Sequence, residues 1–311
     1  MDVSVVVPVL NEREGLRELH RRIGAALADV EHEVVYVDDG STDGSPALIE
    51  ELGAETGTAV LVQLSRNFGM EVAMSAGLDH ARGDHVALVH ADLQDPPELI
   101  PEMLRIARDG ADVVYARRIG RDEPWHKRVL ATGFYKLMER LARVPYQGQA
   151  GDFRLMSRRV VDVLRDMPER RRFLRGMVAW VGFEQVPVEY RRAGRLNGRG
   201  ASYRALFRLA AEAMAAFSDV PLALASIFGM ATAALAGLTG LVIVVATLFG
   251  WLTASLGVWT LVALLFLGGV QLISVGILGR YLGRVHEQTL RRPLYLVDRV
   301  VFPREQVPAR D

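Results

Sequence analysis

The chain contains no cysteine, which removes disulfide bonds and thiolate metal sites from consideration. It has no excess of either charge: 37 basic side chains balance 37 acidic ones among 311 residues, so no nucleic-acid partner is expected. The amino terminus lacks a basic start. Met1-Asp2-Val3-Ser4-Val5 runs through a short apolar stretch to Asn11-Glu12-Arg13, which fits a buried strand better than a signal peptide. Repeats and low-complexity tracts are absent from the first half. The most informative absence is local. From Val220 to Gly279, sixty consecutive residues include no Asp, Glu, Lys, Arg or His, enough to cross a ~30 Å hydrocarbon core twice at roughly 20 residues per crossing. That run argues against a purely soluble protein, because burying such a hairpin in protein would need more surrounding chain than is present.

Two apolar blocks, Pro221 to Phe249 and Val258 to Leu278, are separated by a small turn, Gly250–Gly257, with Trp251 and Trp259 at its rim. Tryptophan prefers the membrane interface, so these residues mark where the chain surfaces. Positive charge gathers at the other ends, with Arg204 and Arg208 before the first block and Arg280, Arg284, Arg291 and Arg292 after the second. The positive-inside tendency then places both termini and the globular domain in the cytoplasm, as a multi-pass protein of the cell (inner) membrane. The expected organisation is a domain over 1–219, whose segment 166–219 is arginine-rich and juxtamembrane, two spans over 220–280, and a cytoplasmic tail over 281–311.

Short apolar runs alternate with amphipathic segments through the first 120 residues, the pattern of a mostly parallel sheet with helical crossovers. Strands are expected at Val3–Val7, Glu33–Val37, Val60–Leu64, His85–Val89 and Asp112–Tyr115. Helices are expected at Glu14–Leu27, Pro46–Glu55, Glu71–His80 and Pro97–Arg108. Four of the strands run straight into polar residues: Asn11-Glu12, Asp38-Asp39-Gly40-Ser41, Ser65-Arg66-Asn67 and His90-Ala91-Asp92. Ligands of open α/β sheets bind at the carboxyl ends of strands, so these clusters should converge on one cleft.

Each cluster carries two readings. Asp38-Asp39-Gly40-Ser41-Thr42-Asp43 either caps the next helix or presents a carboxylate to a nucleobase or ribose. In His90-Ala91-Asp92-Leu93-Gln94, alternate residues of an extended strand end would put His90, Asp92 and Gln94 on one face. Such a set suits Mg²⁺ or Mn²⁺ bridging to a diphosphate; otherwise it is a solvated turn. Between Asp166 and Arg208, ten arginines outnumber four acidic residues. This segment anchors to anionic lipid heads, binds phosphate, or does both.

Five segments occur in a telling order: Val5-Val6-Val7-Pro8-Val9-Leu10-Asn11-Glu12; Val37-Asp38-Asp39-Gly40-Ser41-Thr42-Asp43; Ser65-Arg66-Asn67-Phe68-Gly69 with Ala76-Gly77-Leu78; Ala91-Asp92-Leu93-Gln94-Asp95-Pro96-Pro97-Glu98; and Gly151-Asp152-Phe153-Arg154-Leu155-Met156. In order and spacing the chain resembles the family 2 glycosyltransferases. Within them it is similar to the polyprenyl-phosphate glycosyltransferases, over nearly its whole length and including the paired spans. The resemblance implies a Rossmann-like, nucleotide-sugar-binding α/β domain of the GT-A type followed by a two-helix transmembrane hairpin. It implies that Pro8, Asn11 and Glu12 border the base and ribose and that Asp39 hydrogen-bonds the base. Asp92 and Gln94 would hold Mg²⁺ or Mn²⁺ on the diphosphate, and Asp152 would lie beside the anomeric carbon. His90 stands where the family's metal motif has its first acidic residue, and it either joins the metal shell or leaves it to Asp92, Gln94 and phosphate.

The resemblance further implies that Arg118, Arg121, Arg128 and Thr132 contact the acceptor phosphate, helped by one or more of Arg192, Arg195 and Arg199. Guanidinium forks suit that task. The implied reaction is inverting transfer of a sugar, with UDP-glucose favoured and GDP-mannose next, to an undecaprenyl- or dolichyl-type phosphate during cell-wall or glycan assembly. Asp152 either takes a residual proton or orients the acceptor and stabilises charge on the sugar. Self-association is left open. A processive polysaccharide synthase is the less fitting alternative, since Gln-x-x-Arg-Trp is absent and two spans build no channel. A non-catalytic nucleotide-sugar-binding membrane scaffold is the other alternative, prompted by His90.

The charge map is testable because no native thiol interferes. A cysteine introduced as Ser255→Cys should be labelled by a membrane-impermeant thiol reagent applied to intact cells, whereas Ser45→Cys should stay unlabelled. The reverse pattern would invert the topology.

Overall fold

In a computed structural model the described residues are 1–118, 150–170, 172–190, 238, 242, 245, 249, 256–290 and 292–303. They divide into two compact units, Met1–Gly200 with Pro293–Asp311 and Ala201–Arg292. The first unit is built on an eight-stranded sheet of order β7-β5-β6-β4-β1-β2-β3-β8. Its strands are β1 (Val3–Val9), β2 (His32–Asp38), β3 (Ala59–Leu64), β4 (His85–Leu88), β5 (Val113–Arg118), β6 (Ala150–Ser157), β7 (Gln185–Tyr190) and β8 (Val297–Val301). β1 pairs in parallel with β2 and β4, β2 with β3, and β5 with β7, while β6 and β8 run antiparallel to their neighbours. The helices are α1 (Arg13–Ala26), α2 (Ser45–Thr56), α3 (Met70–His80), α4 (Ile100–Arg108), α5 (Arg158–Asp166) and α6 (Leu174–Val181), with α7 (Leu256–Thr289) in the second unit. The five expected strands and four expected helices form within a few residues of their expected bounds; Pro97–Leu99 is a 3₁₀ turn leading into α4.

Parallel strands buried on both faces should read as unbroken apolar runs, and β1 does: Val3, Val5, Val6, Val7 and Val9 are all buried. Side-chain alternation divides the core. Val3, Val5, Val7 and Val9 pack with Leu16, Leu19 and Ile23 of α1, Ile49 of α2 and Met103 of α4. Val6, with Val35 and Val37 of β2, packs on the opposite side with Ala73 and Met74 of α3, Val160 of α5 and Met177 of α6. The α1 contacts recur at helical spacing, one face turned inward. Gly77 lets α3 lie flat on the sheet: a methyl group there would overlap Val6 Cγ1 and stand 3.1 Å from Val37 Cγ2.

The expected tail is structured in part. After α7 the chain returns as β8, which covers the outer edge of β3, from Leu61 opposite Val301 to Leu64 opposite Val297. Ser65 N–H donates to the Leu296 carbonyl (2.9 Å), Tyr295 Oη to Asp79 Oδ2 (2.7 Å), and Arg299 pairs with Gln63 and Glu50. Nothing in the tail's composition signals this pairing. An uncovered edge would expose a row of unpaired amides and carbonyls.

Among the described residues no helix is long and apolar enough to cross a membrane. The first expected span falls almost wholly outside those residues. The second falls in α7, a helix of 34 residues and thus about 51 Å long. Several side chains of α7 lie outside the described set.

Burial and the bond to Asp79 raise the pKa of the Tyr295 hydroxyl, as expected of a donor held against a carboxylate. Tyr295→Phe should therefore lower unfolding free energy by about 1.5–3 kcal/mol, the worth of a hydrogen bond to a charged group. Thermal or denaturant unfolding of the whole protein measures this, and an unchanged midpoint would mean that the strand is held by its backbone pairing alone.

Candidate active site

The carboxyl ends of β1, β2 and β4 open on the same edge of the sheet, and backbone demands there determine much of what the polar residues do. Asp39 follows β2, and its own N–H donates to the Val9 carbonyl (2.9 Å). Its carboxylate accepts the N–H of Phe68 at Oδ1 (2.7 Å) and of Gly69 at Oδ2 (2.9 Å), and the residue is only 3% exposed. Burial raises its pKa although the two amides oppose the shift. Gly40 permits the turn because it sits at φ 85° and a Cβ would lie 2.9 Å from the Asn67 nitrogen. Asn11, at φ 56°, donates its N–H to Ser41 Oγ and accepts the Thr42 N–H at Oδ1, each at 2.9 Å. Asp39 and Asn11 thus tie together three loops that border the cleft. Pro8 lies on β1 opposite Val37, and Glu12 lies at the start of α1. Burial first, then the charges of Asp92 and Asp43, raise the pKa of Glu12, which places that carboxyl within reach of Asp92's field.

The single face expected for His90, Asp92 and Gln94 does not form. β4 ends at Leu88, and Leu93 adopts φ 57°, so strand alternation is broken before Gln94. Asp92 is exposed and its Oδ1 accepts the Gln94 N–H (3.2 Å). Gln94 is 9% exposed, and its Oε1 has no hydrogen-bond partner among the described residues. His90 turns towards Asp152, with Nε2 3.3 Å from Oδ2. Among the described residues no three His, Cys, Asp or Glu side chains gather as a metal cage. The donors that remain are hard oxygens, an exposed carboxylate and an unpartnered buried amide oxygen. They fit an ion that takes most of its ligands from a diphosphate and water.

Asp152 lies near the start of β6, whose antiparallel pairing sets Leu88 opposite Arg154 and so carries Asp152 to the cleft end of the sheet. Arg175, on the first turn of α6, grips its carboxylate: Nη2 lies 2.9 Å from both oxygens and Nε 3.2 Å from Oδ1. Arg154 lies beneath, 3% exposed, donating to the carbonyls of Gly151 (2.9 Å) and Asp152 (3.3 Å). Burial alone would raise the Asp152 pKa, but the His90 hydrogen bond and the charges of Arg175 and Arg154 override it and hold the carboxyl well below its usual range. His90 moves the other way: burial is the largest influence and opposes its protonation, but the bond to Asp152 together with the charges of Asp152, Asp95 and Asp92 raises its pKa. Burial pushes Arg154 down to about 10. Glu71, on α3, accepts the Leu174 N–H (2.9 Å) and thereby anchors the start of α6. A carboxylate so stabilised as an anion is a weak base near neutral pH, suited to orienting a substrate and facing positive charge.

The structure thus brings Asn11, Glu12, Asp39, Asp92, His90 and Asp152 to one end of the sheet. Arg118 ends β5, with its backbone opposite Tyr190. Arg121, Arg128, Thr132, Arg192, Arg195 and Arg199 lie outside the described residues. Sequence reasoning missed Arg175 and Glu71 as parts of the site: the first is one arginine in an arginine-rich run, and the second reads as an ordinary first-turn helix residue.

This is a nucleotide-sugar type of strand-end cleft, and the comparisons agree with that class. The profile described as Glycosyl transferase family 2 matches residues 4–165. An uncharacterized glycosyltransferase of Synechocystis sp. is 39% identical over 301 residues, covering 96% of this chain and 95% of the relative. A prophage bactoprenol glucosyl transferase homolog of Escherichia coli is 38% identical over 305 residues, covering 96% and 99%. The bactoprenol glucosyl transferase of Shigella phage SfV is 38% identical over 301 residues, covering 96% and 98%. Among solved structures the chain is similar to a mannosyltransferase from Pyrobaculum calidifontis in complex with GDP-Man and Mn²⁺, at 21% identity and TM-score 0.45, covering 64% of this chain and 58% of that one. The chain belongs to glycosyl transferase family 2, and it is an enzyme of the hexosyl-transferring class.

Replacing Asp39 by Asn would set an amide N–H₂ against a backbone N–H that now has an acceptor. Asp39→Asn should cost about 1–3 kcal/mol of unfolding free energy and weaken donor binding as the loops loosen. Denaturant unfolding and donor titration check this, and wild-type stability would show that the amides find other acceptors.

Proposed function

We propose that the protein transfers a sugar, glucose from UDP-glucose in the favoured case and mannose from GDP-mannose next, to a polyprenyl phosphate at the inner face of a membrane. The observation that carries the reading is the pairing of an exposed Asp92 with an Asp152 held anionic by Arg175 and His90, in one strand-end cleft. Its support outside the site is the near full-length likeness to proteins named bactoprenol glucosyl transferases, since bactoprenol is a polyprenol.

The base and ribose lie against Pro8, Asn11, Glu12 and Asp39, with Asp92 and Gln94 turned to the diphosphate. A divalent ion bound there, Mg²⁺ or Mn²⁺, supplies charge neutralisation for the leaving diphosphate. The nucleophile is a phosphate monoester oxygen that is already anionic near neutral pH, so no strong base is required. Asp152 accordingly orients the reactants and faces the positive charge that develops on the sugar, and attack from the opposite side to the nucleotide inverts the anomeric centre. The two uncharged blocks anchor this chemistry where the insoluble acceptor resides, with the catalytic domain and both termini in the cytoplasm and the acceptor phosphate drawn in by the arginines of 118–132 and 192–199.

Purified protein in detergent should release UDP from UDP-glucose at least about 10²-fold faster when polyprenyl phosphate and Mg²⁺ or Mn²⁺ are both present than when the lipid is left out. Asp92→Ala should abolish metal-dependent donor binding together with transfer, and Asp152→Asn should keep donor binding while losing about 10²-fold or more in kcat, the range for a group that acts in the transition state. Nucleotide release that ignores the lipid, or no release from any donor tried, would overturn the reading.

A further inference from the structure

We infer that Arg175 is a positioning residue that makes the cleft accept an anionic nucleophile beside Asp152. The inference rests on the proposed use of a phosphate acceptor. The nucleophile must reach the same carbon that Asp152 faces, and two anions there repel each other in a partly desolvated cleft. Asp152 is 14% exposed and Arg175 32%, so the cation is the more open member of the pair. Neither of the other cations at this carboxylate fills the role. Arg154 is buried, with its hydrogen bonds on the carbonyls of Gly151 and Asp152. His90 offers a single ring nitrogen, at 3.3 Å.

The guanidinium is also placed with unusual firmness for an arginine of so basic a segment. Its neighbour Leu174 donates its N–H to the half-buried Glu71 carboxylate, and the Phe173 carbonyl accepts the N–H groups of Gly176 and Met177. The first turn of α6 is thereby fixed to α3. Glu71 lies two residues beyond Gly69, whose N–H is bound by Asp39. Arg175 is thus held by a scaffold that also shapes the nucleotide end of the cleft. A planar fork gripping both carboxylate oxygens sets the orientation of Asp152, and its charge offsets that of the carboxylate as the phosphate approaches.

The test compares two nucleophiles in the full-length protein: polyprenyl phosphate, which is anionic, and water, which is neutral and hydrolyses the nucleotide sugar slowly in the absence of acceptor. Arg175→Gln should raise the KM for polyprenyl phosphate at least about tenfold, the loss of one charge-assisted interaction, while donor KM stays within about threefold. Acceptor-independent hydrolysis should persist, because water brings no negative charge for the guanidinium to offset. Arg175→Lys should recover part of the acceptor KM, since charge returns without the fork. Unchanged acceptor KM in Arg175→Gln would overturn the inference, as would transfer and hydrolysis falling in equal proportion, which marks a purely structural residue. If Arg175→Gln fails to fold, Arg175→Lys decides by the same split: a selective rise in acceptor KM supports the inference and a proportional loss overturns it. A wild-type protein that hydrolyses donor but transfers to no phosphate acceptor would instead remove the proposed function, and this inference with it.

Discussion

A sheet whose central parallel strands are covered on both faces keeps a polar side chain along them only when it is paired, as Ser4 is with Glu33, and much of the catalytic unit follows from that constraint. Its side chains must pack against helices above and below, as those of β1 do with α1 and α4 on one side and α3 on the other. The polar residues are consequently displaced to the strand ends, where backbone amides of the loops also need acceptors. Asp39 and Asn11 meet that need, and in doing so they bind the loops after β1, β2 and β3 into one rim. Shape at the nucleotide end of the cleft and stability of the fold are therefore served by the same hydrogen bonds.

The reacting end is organised by charge. Asp152 would be costly to bury as a lone carboxylate, and it persists there because Arg175 and His90 bond to it and Arg154 adds its field from below. That arrangement makes it a poor proton acceptor, which the proposed phosphate nucleophile does not require. His90 finds its place in the same balance. His90 is turned to Asp152, which leaves the oxygens of Asp92 and Gln94 as the donors the proposed metal would take.

The return of the chain as β8 ties the segment after the long helix α7 to the edge of the catalytic sheet. The strand pairing and the Tyr295–Asp79 bond thus make Pro293 and the residues after it part of the first unit, although they follow the second in sequence. The pairing also closes an edge that would otherwise invite association through β3.

Local periodicity determined which segments became strands and helices. The runs at Val3–Val7 and Val60–Leu64 are legible because burial on both faces leaves a continuous apolar stretch, and the face of α1 because burial of one side imposes a period of nearly four. The polar strand ends and the uncharged run from Val220 to Gly279 are equally legible, since each is a contiguous stretch. What lay beyond the sequence depends on strand order and register. His90 and Asp152 are 62 residues apart, and Arg175 is a further 23 along the chain. They meet because β6 enters antiparallel between β4 and β5, a placement that no side-chain period encodes. Arg299 reaches Gln63 across 236 residues for the same kind of reason. The shared face expected for His90, Asp92 and Gln94 failed because β4 ends at Leu88 and the chain then turns through Ala91, Asp92 and the positive-φ Leu93. Sequence alone determined the elements and the residue types at their ends; only the tertiary structure decided which charges neutralise one another, because electrostatic pairing acts through distance in space and not along the chain.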